Sequence, residues 1–175
     1  MRLRNLLVIP AVLSALAAFG QAAPKSAHAD IINNIGQKIG TAKLTATKTG
    51  AVKIVVKVAG LAPGEHGFHI HAVGKCDTPD FKTAGSHFNP TEAHHGVNNA
   101  QTPHPHAGDL PNLVVSADGK GSLTTVDANV TLGEGPNSLF HDGGTSLVIH
   151  EKADDYMTDP SGNSGNRIAC GIIQK

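Results

Sequence analysis

The stretch from Gly67 to Asp109, GFHIHAVGKCDTPDFKTAGSHFNPTEAHHGVNNAQTPHPHAGD, restricts this chain more than any other. It holds seven of the eleven histidines: His69, His71, His87, His94, His95, His104 and His106. Its loop part is rich in Gly, Pro, Asn and Thr, with too little apolar surface to fold by itself, and a bound metal would give it a reason to be ordered. Neutral imidazole is the commonest protein metal ligand, and Asp109, close behind His106, adds a hard oxygen ligand suited to zinc. In Phe68-His69-Ile70-His71 the histidines stand at i and i+2. On a strand such residues share one face, so His69 and His71 can reach one metal while Phe68 and Ile70 turn to a core. His87, His95, His106 and Asp109 are spread through the loop.

The rest of the chain reads as a β scaffold for that stretch. Hydrophobic residues make up 39% and aromatics 3%, with no Trp, so the core must be Val, Ile, Leu and Ala; 20 Gly and 10 Pro favour many turns. Strands are expected at Thr41 to Thr47, Ala51 to Val58, Gly67 to Ala72, Asn112 to Ser116, Ser122 to Val126, Asn129 to Leu132, Thr145 to His150 and Ile168 to Ile173. Asp118-Gly119-Lys120-Gly121 is a hairpin turn. Two long polar loops remain, the histidine-rich one and Glu151 to Arg167, and loops of that length in a compact domain are usually functional. The expected architecture is an all-β Greek-key sandwich or barrel of about eight antiparallel strands with two long functional loops. The formal net charge of zero carries no nucleic-acid footprint.

Residues 1–29 read as an export signal: Arg2 and Arg4, then the apolar run Leu6 to Phe19, then Ala27-His28-Ala29 as a small-x-small cleavage pattern. Cleavage near Ala22 or Ala23 is the alternative. The run is short for a membrane span, so none is expected after processing. Residues 30–40 are polar and weakly patterned, a tether or the lead-in to the first strand, and 41–175 form the domain. Cleavage after Ala29 removes three basic residues and no acid, leaving a formal charge of −3. The only two cysteines, Cys76 and Cys170, read as a disulfide in an exported chain.

The segments GFHIH, AGSHFNP, HAGDLPNL, LVIHEKADD and GNRIACGII, in this order over residues 40–173, resemble the copper/zinc superoxide dismutase family, most closely its exported bacterial branch. The resemblance implies an enzyme that disproportionates superoxide to oxygen and hydrogen peroxide by copper redox cycling, with a structural zinc and a bridging histidine. It implies that His69, His71, His87 and His150 bind copper, that His87, His95, His106 and Asp109 bind zinc with His87 shared, and that Asp154 links histidines of the two sites from outside the ligand set. Catalytic roles fall to His87, as proton carrier, and to Arg167, beside the copper channel. Cys76 and Cys170 match the family disulfide. Four nitrogen donors suit copper and histidine with one carboxylate suits zinc; a fixed cation such as Arg167 suits a small anionic substrate.

His94 and His104 are the unclaimed neighbours of His95 and His106, and His66 and His141 are expected at the surface. The loop from Glu151 to Arg167 is shorter than in eukaryotic members and has Lys152 as its only lysine, so electrostatic steering comes from elsewhere or is weaker. The segment between Cys76 and His87 is longer, which leaves monomer and homodimer both open. The rival to an exported enzyme acting on superoxide is a non-enzymatic zinc- or copper-binding domain of the same fold. A hydrolytic zinc enzyme would need an open zinc position, and four protein ligands leave none.

Overall fold

In the computed structural model, which describes residues 25–101 and 104–175, nine antiparallel strands form one sheet. They are β1 (Ser26–Asn33), β2 (Lys38–Ala46), β3 (Val52–Ala59), β4 (Gly64–His66), β5 (Phe68–His71), β6 (Leu113–Val115), β7 (Lys120–Asp127), β8 (Ser146–His150) and β9 (Arg167–Ile172). The order across the sheet is β4-β6-β7-β3-β2-β1-β9-β8-β5. Its two ends, β4 and β5, are separated in sequence by Gly67 alone, so the sheet curls into a nearly closed barrel. Among the described residues the only helical element is a three-residue 3-10 turn, Lys82–Ala84.

The β1-β2-β3-β7 wall follows directly from period-2 patterning. In β3, Val52, Ile54, Val56 and Val58 are buried while Lys53 and Lys57 are exposed. Leu44 of β2 pairs with Ile54, and Val56 pairs with Leu123 of β7, so inward residues face one core. Phe68, Ile70, Leu113, Leu147 and Ile149 complete that core from the opposite side. Burial of an aliphatic side chain contributes roughly 1.5–3 kcal/mol, and this interior is nearly all aliphatic.

Three expectations need correction. Residues 30–40 are no tether: Ser26–Asn33 is a full strand, with Ala27, Ala29 and Ile31 buried against β2. Cleavage after Ala29 would cut that strand; the apolar run itself lies outside the described residues. Asn129 to Leu132 is not a strand; Val130 and Leu132 are buried from a loop whose one ladder contact is the bridge of Thr131 to Ser138. β4 was not anticipated. Cys76 and Cys170 are bonded, with Cα atoms 5.6 Å apart across a sequence separation of 94, tying the first long loop to β9.

Candidate metal centre

Backbone pairing brings the histidine-rich loop alongside β5. Ile70 N–H donates to Gly108 O, Phe88 N–H to Ile70 O, and Gly108 N–H to Phe88 O, each at 2.8 Å. Isolated bridges join His69 to Asp109 and His71 to His87. The approach is so close that a Cβ at Gly108 would collide with the Ile70 carbonyl, so glycine is required there. Three sequence-distant segments thereby set their histidines side by side.

The imidazoles of His69, His71, His87 and His150 are all buried, and one ring nitrogen from each lies within 4.8 Å of the others. His69 Nδ1, His71 Nε2, His87 Nε2 and His150 Nε2 are buried and have no hydrogen-bond partner. The opposite nitrogens are engaged: His69 Nε2 with Asp154 Oδ2 at 2.8 Å, His71 Nδ1 with Gly85 O at 2.9 Å, His87 Nδ1 with Asp109 Oδ1 at 2.9 Å and His150 Nδ1 with Gly165 O at 3.3 Å. Buried polar atoms are nearly always satisfied, so four orphans converging on one point form a nitrogen-lined socket that fits copper. Burial is the main influence on these rings and disfavours their charged forms. His69 and His71 fall below the ordinary histidine value, His87 to about 4 and His150 to about 3. The rings are therefore neutral at pH 7, with lone pairs available to a metal.

The second group is His87, His95, His106 and Asp109. Asp109 Oδ1 lies 2.9 Å from His87 Nδ1, 3.0 Å from His95 Nδ1 and 3.2 Å from His106 Nδ1, and the Nδ1 atoms of His87 and His106 are 3.4 Å apart. Tetrahedral zinc with ligands at about 2.0–2.1 Å has ligand atoms roughly 3.3 Å apart, so this donor set fits zinc. Burial opposes ionisation of Asp109, but hydrogen bonds from His106, His87 and His95 outweigh it and hold its pKa well below the usual carboxylate range. His87 belongs to both groups, offering Nε2 to the first and Nδ1 to the second.

Asp154, buried, joins the groups a second time. Its Oδ2 accepts from His69 Nε2 at 2.8 Å and its Oδ1 from His95 Nε2 at 2.9 Å. Burial lowers the basicity of His95, yet hydrogen bonds to Asp109 and Asp154 prevail and raise it to about 9. Asn112, which sequence reasoning missed, holds Asp154: Asp154 N–H donates to its Oδ1 at 2.9 Å, and its Nδ2 donates to Asp154 O at 3.0 Å. Tyr156 Oη accepts from Asn112 N–H at 2.8 Å. Nothing in the Leu-Pro-Asn-Leu context announces that role.

The family profile described as copper/zinc superoxide dismutase matches residues 38–173. The chain belongs to the copper/zinc superoxide dismutase family. It is 47% identical over 166 residues to a copper/zinc superoxide dismutase of Aquifex aeolicus, covering 94% of this chain and 96% of that relative. The crystal structure of a superoxide dismutase-like protein from Bacillus subtilis aligns at 41% identity and a TM-score of 0.79, over 83% of this chain and 96% of that one. The copper/zinc superoxide dismutase of Brucella abortus aligns at 29% identity and a TM-score of 0.66, over 85% and 99%.

Within this family member, Arg167 is clamped rather than free. Its Nη1 donates to Phe81 O at 2.7 Å and its Nη2 to Gly85 O at 2.6 Å. Gly85 O is also the acceptor for His71 Nδ1, so one carbonyl registers guanidinium and imidazole together. His94 is exposed and pairs with Asp159 at 2.8 Å, and His104 is exposed; neither belongs to the two groups. His66 is not a surface residue. It is 3% exposed, and its ring lies between His150 O (2.7 Å from Nδ1) and Ala62 O (2.9 Å from Nε2). His141 is half-buried and stacks on Phe88 with centroids 5.3 Å apart.

Proposed function

We propose that this chain disproportionates superoxide to oxygen and hydrogen peroxide as an exported enzyme. In this reading His69, His71, His87 and His150 hold copper, and His87, His95, His106 and Asp109 hold zinc. The observation that carries it is the set of four buried, unpartnered ring nitrogens. Copper bound there supplies one-electron redox chemistry, and zinc supplies fixed charge without redox change.

The chain's own groups do the rest. Two superoxide ions and two protons give one O2 and one H2O2. His87 Nε2 is the atom that takes up a proton and delivers it to the departing peroxide, while Asp109 and the zinc-side contacts at Nδ1 keep the ring from turning away. Arg167, immobilised by two carbonyls, presents a permanent cation to an anionic substrate. Asp154 fixes the tautomers of His69 and His95, so that each keeps its other nitrogen for a metal.

The complete nitrogen set separates this reading from a metal-binding domain without turnover, since whole-chain similarity to a dismutase-like protein does not. The deciding experiment loads purified protein with copper and zinc and measures metal content and superoxide dismutation on one sample. About one copper and one zinc per chain with rapid turnover is expected; zinc alone, with copper excluded, overturns the reading. Export is supported by the Cys76–Cys170 bond and by the leader-like residues before Lys25. Cleavage near Ala22 or Ala23 leaves β1 whole, and the N-terminal sequence of the exported protein checks it.

A further inference from the structure

The charges of this chain are segregated although they sum to zero. Residues 25–60 carry six lysines and one acid, Asp30, whereas residues 61–175 carry six basic and thirteen acidic residues. The lysines of the first part belong mostly to the outer face of the β1-β2-β3 wall. Pairing runs Thr45 to Lys53, Lys43 to Val55 and Thr41 to Lys57, with His28 beside Lys43. Lys43, Lys53 and Lys57 therefore point outward as a triangle; strand geometry puts Lys43 about 8 Å from each of the other two. All three are exposed, and among the described residues none forms an ion pair. Asp30, the one acid on this face, is taken by Lys38 at 2.7 Å. The neighbouring strand β7 adds Lys120, which is paired with Asp118 at 2.8 Å, then Ser122, Thr124 and Val126 outward, and Val126, opposite Lys53, is 58% exposed. A groove of about 440 Å³ lined by His28, Lys43 and Lys57 runs across the face.

We propose that this wall is a docking surface for an anionic phospholipid bilayer. Unpaired like charges at this spacing repel one another, and a field of phosphates relieves that repulsion. A compact ammonium meets a headgroup phosphate as a point charge, and strands β1, β2, β3 and β7 carry no arginine fork and no Phe, Tyr or Trp to select nucleic acid bases. Lys25 adds a further lysine at the edge of this same wall, where its carbonyl O accepts from Ala46 N–H. Strand order sets β2 opposite the β4–β5 seam, so a molecule lying on this wall turns its metal centre away from the membrane. The proposal rests on the exported reading only for access to a bilayer; the surface itself is measurable apart from dismutation.

The test uses the protein as the cell exports it, loaded with copper and zinc, and sediments it with phosphatidylglycerol/phosphatidylcholine vesicles or with pure phosphatidylcholine. The wild type is expected to partition onto the anionic vesicles at low salt and to be released at high salt. The triple substitution Lys43→Gln, Lys53→Gln and Lys57→Gln weakens partitioning about a hundredfold and leaves dismutation unchanged, since none of these residues touches the metal centre. The Lys→Glu triple abolishes it. The proposal is overturned by wild-type protein that stays in solution, by equal binding of wild type and the Gln variant, by equal binding to neutral vesicles, or by retention on a soluble polyanion alone.

Discussion

The β1-β2-β3-β7 wall and the loop side built from residues 72–112 and 151–166 are stabilised by different means. The wall is a continuous ladder with an aliphatic interior, complete in its own hydrogen bonds. The loop side is joined to the barrel by single long-range contacts, Ile70 to Gly108, Asp154 to His69 and Cys76 to Cys170, and its two segments are joined to each other through Asp154 with His95 and Asn112. Where it meets β5 and β8, its His87 and the strand residues His69, His71 and His150 present the four orphaned ring nitrogens. Apart from Asp127 Oδ2 at the end of β7, the wall leaves no buried side-chain group unpartnered among the described residues, whereas the seam between the loop side and β5 and β8 is an unfinished structure that metal ions complete.

Four substitutions test that contrast. The largest effect belongs to His87→Ala, because His87 alone sits in both ligand groups. Copper and zinc affinity should both fall and dismutation should drop by at least about a thousandfold, while the far-ultraviolet circular dichroism of the wall persists. Retained zinc affinity would refute the bridge. Leu44→Ala should do the reverse, lowering stability by about 2–5 kcal/mol in denaturant titrations without changing metal affinity of the folded protein.

Asp127, at the end of β7, extends the comparison to pH. It is buried, its Oδ2 has no partner, and burial pushes its carboxyl up to about 6. A folded-state value above the unfolded one means the folded chain holds the proton longer. Stability from this group is therefore full below about pH 4 and lost as pH rises to about 6, by up to roughly 3 kcal/mol. Metal-free Asp127→Asn should lack that slope relative to metal-free wild type in denaturation between those pH values. The smallest effect is expected for Asp154→Asn, which keeps the shape and loses the charge: metal affinity should weaken about 10–100-fold, read by chelator competition, with stability of the metal-free wall unchanged.

What was legible in the sequence divides along the same line. Ala51 to Val58 alternates β-branched residues with lysines, and its strand was placed within a residue of β3. β1 was missed because its inward positions are the weakly apolar Ala27 and Ala29, beside an export-like run that claimed the same residues. Val130 and Leu132 imitate a strand yet are buried from a loop. In the candidate metal centre, the i, i+2 spacing of His69 and His71 and the motifs around the other candidates named the seven residues that the fold brings together. His66 was misread, since its burial depends on the carbonyl of His150, 84 residues away, which no local pattern encodes. Asn112 was missed for the same reason: its partners in the second long loop lie more than forty residues on.

On the proposed assignment of ligands, Asp154 gives the two metal positions a thermodynamic tie in addition to the shared ring of His87. One carboxylate orients a histidine of each group, so filling either position lowers the cost of ordering the other. Such coupling is reciprocal: whatever factor zinc adds to copper affinity, copper must add to zinc affinity. The order in which the metals arrive then alters the rate of assembly and leaves the final occupancy the same.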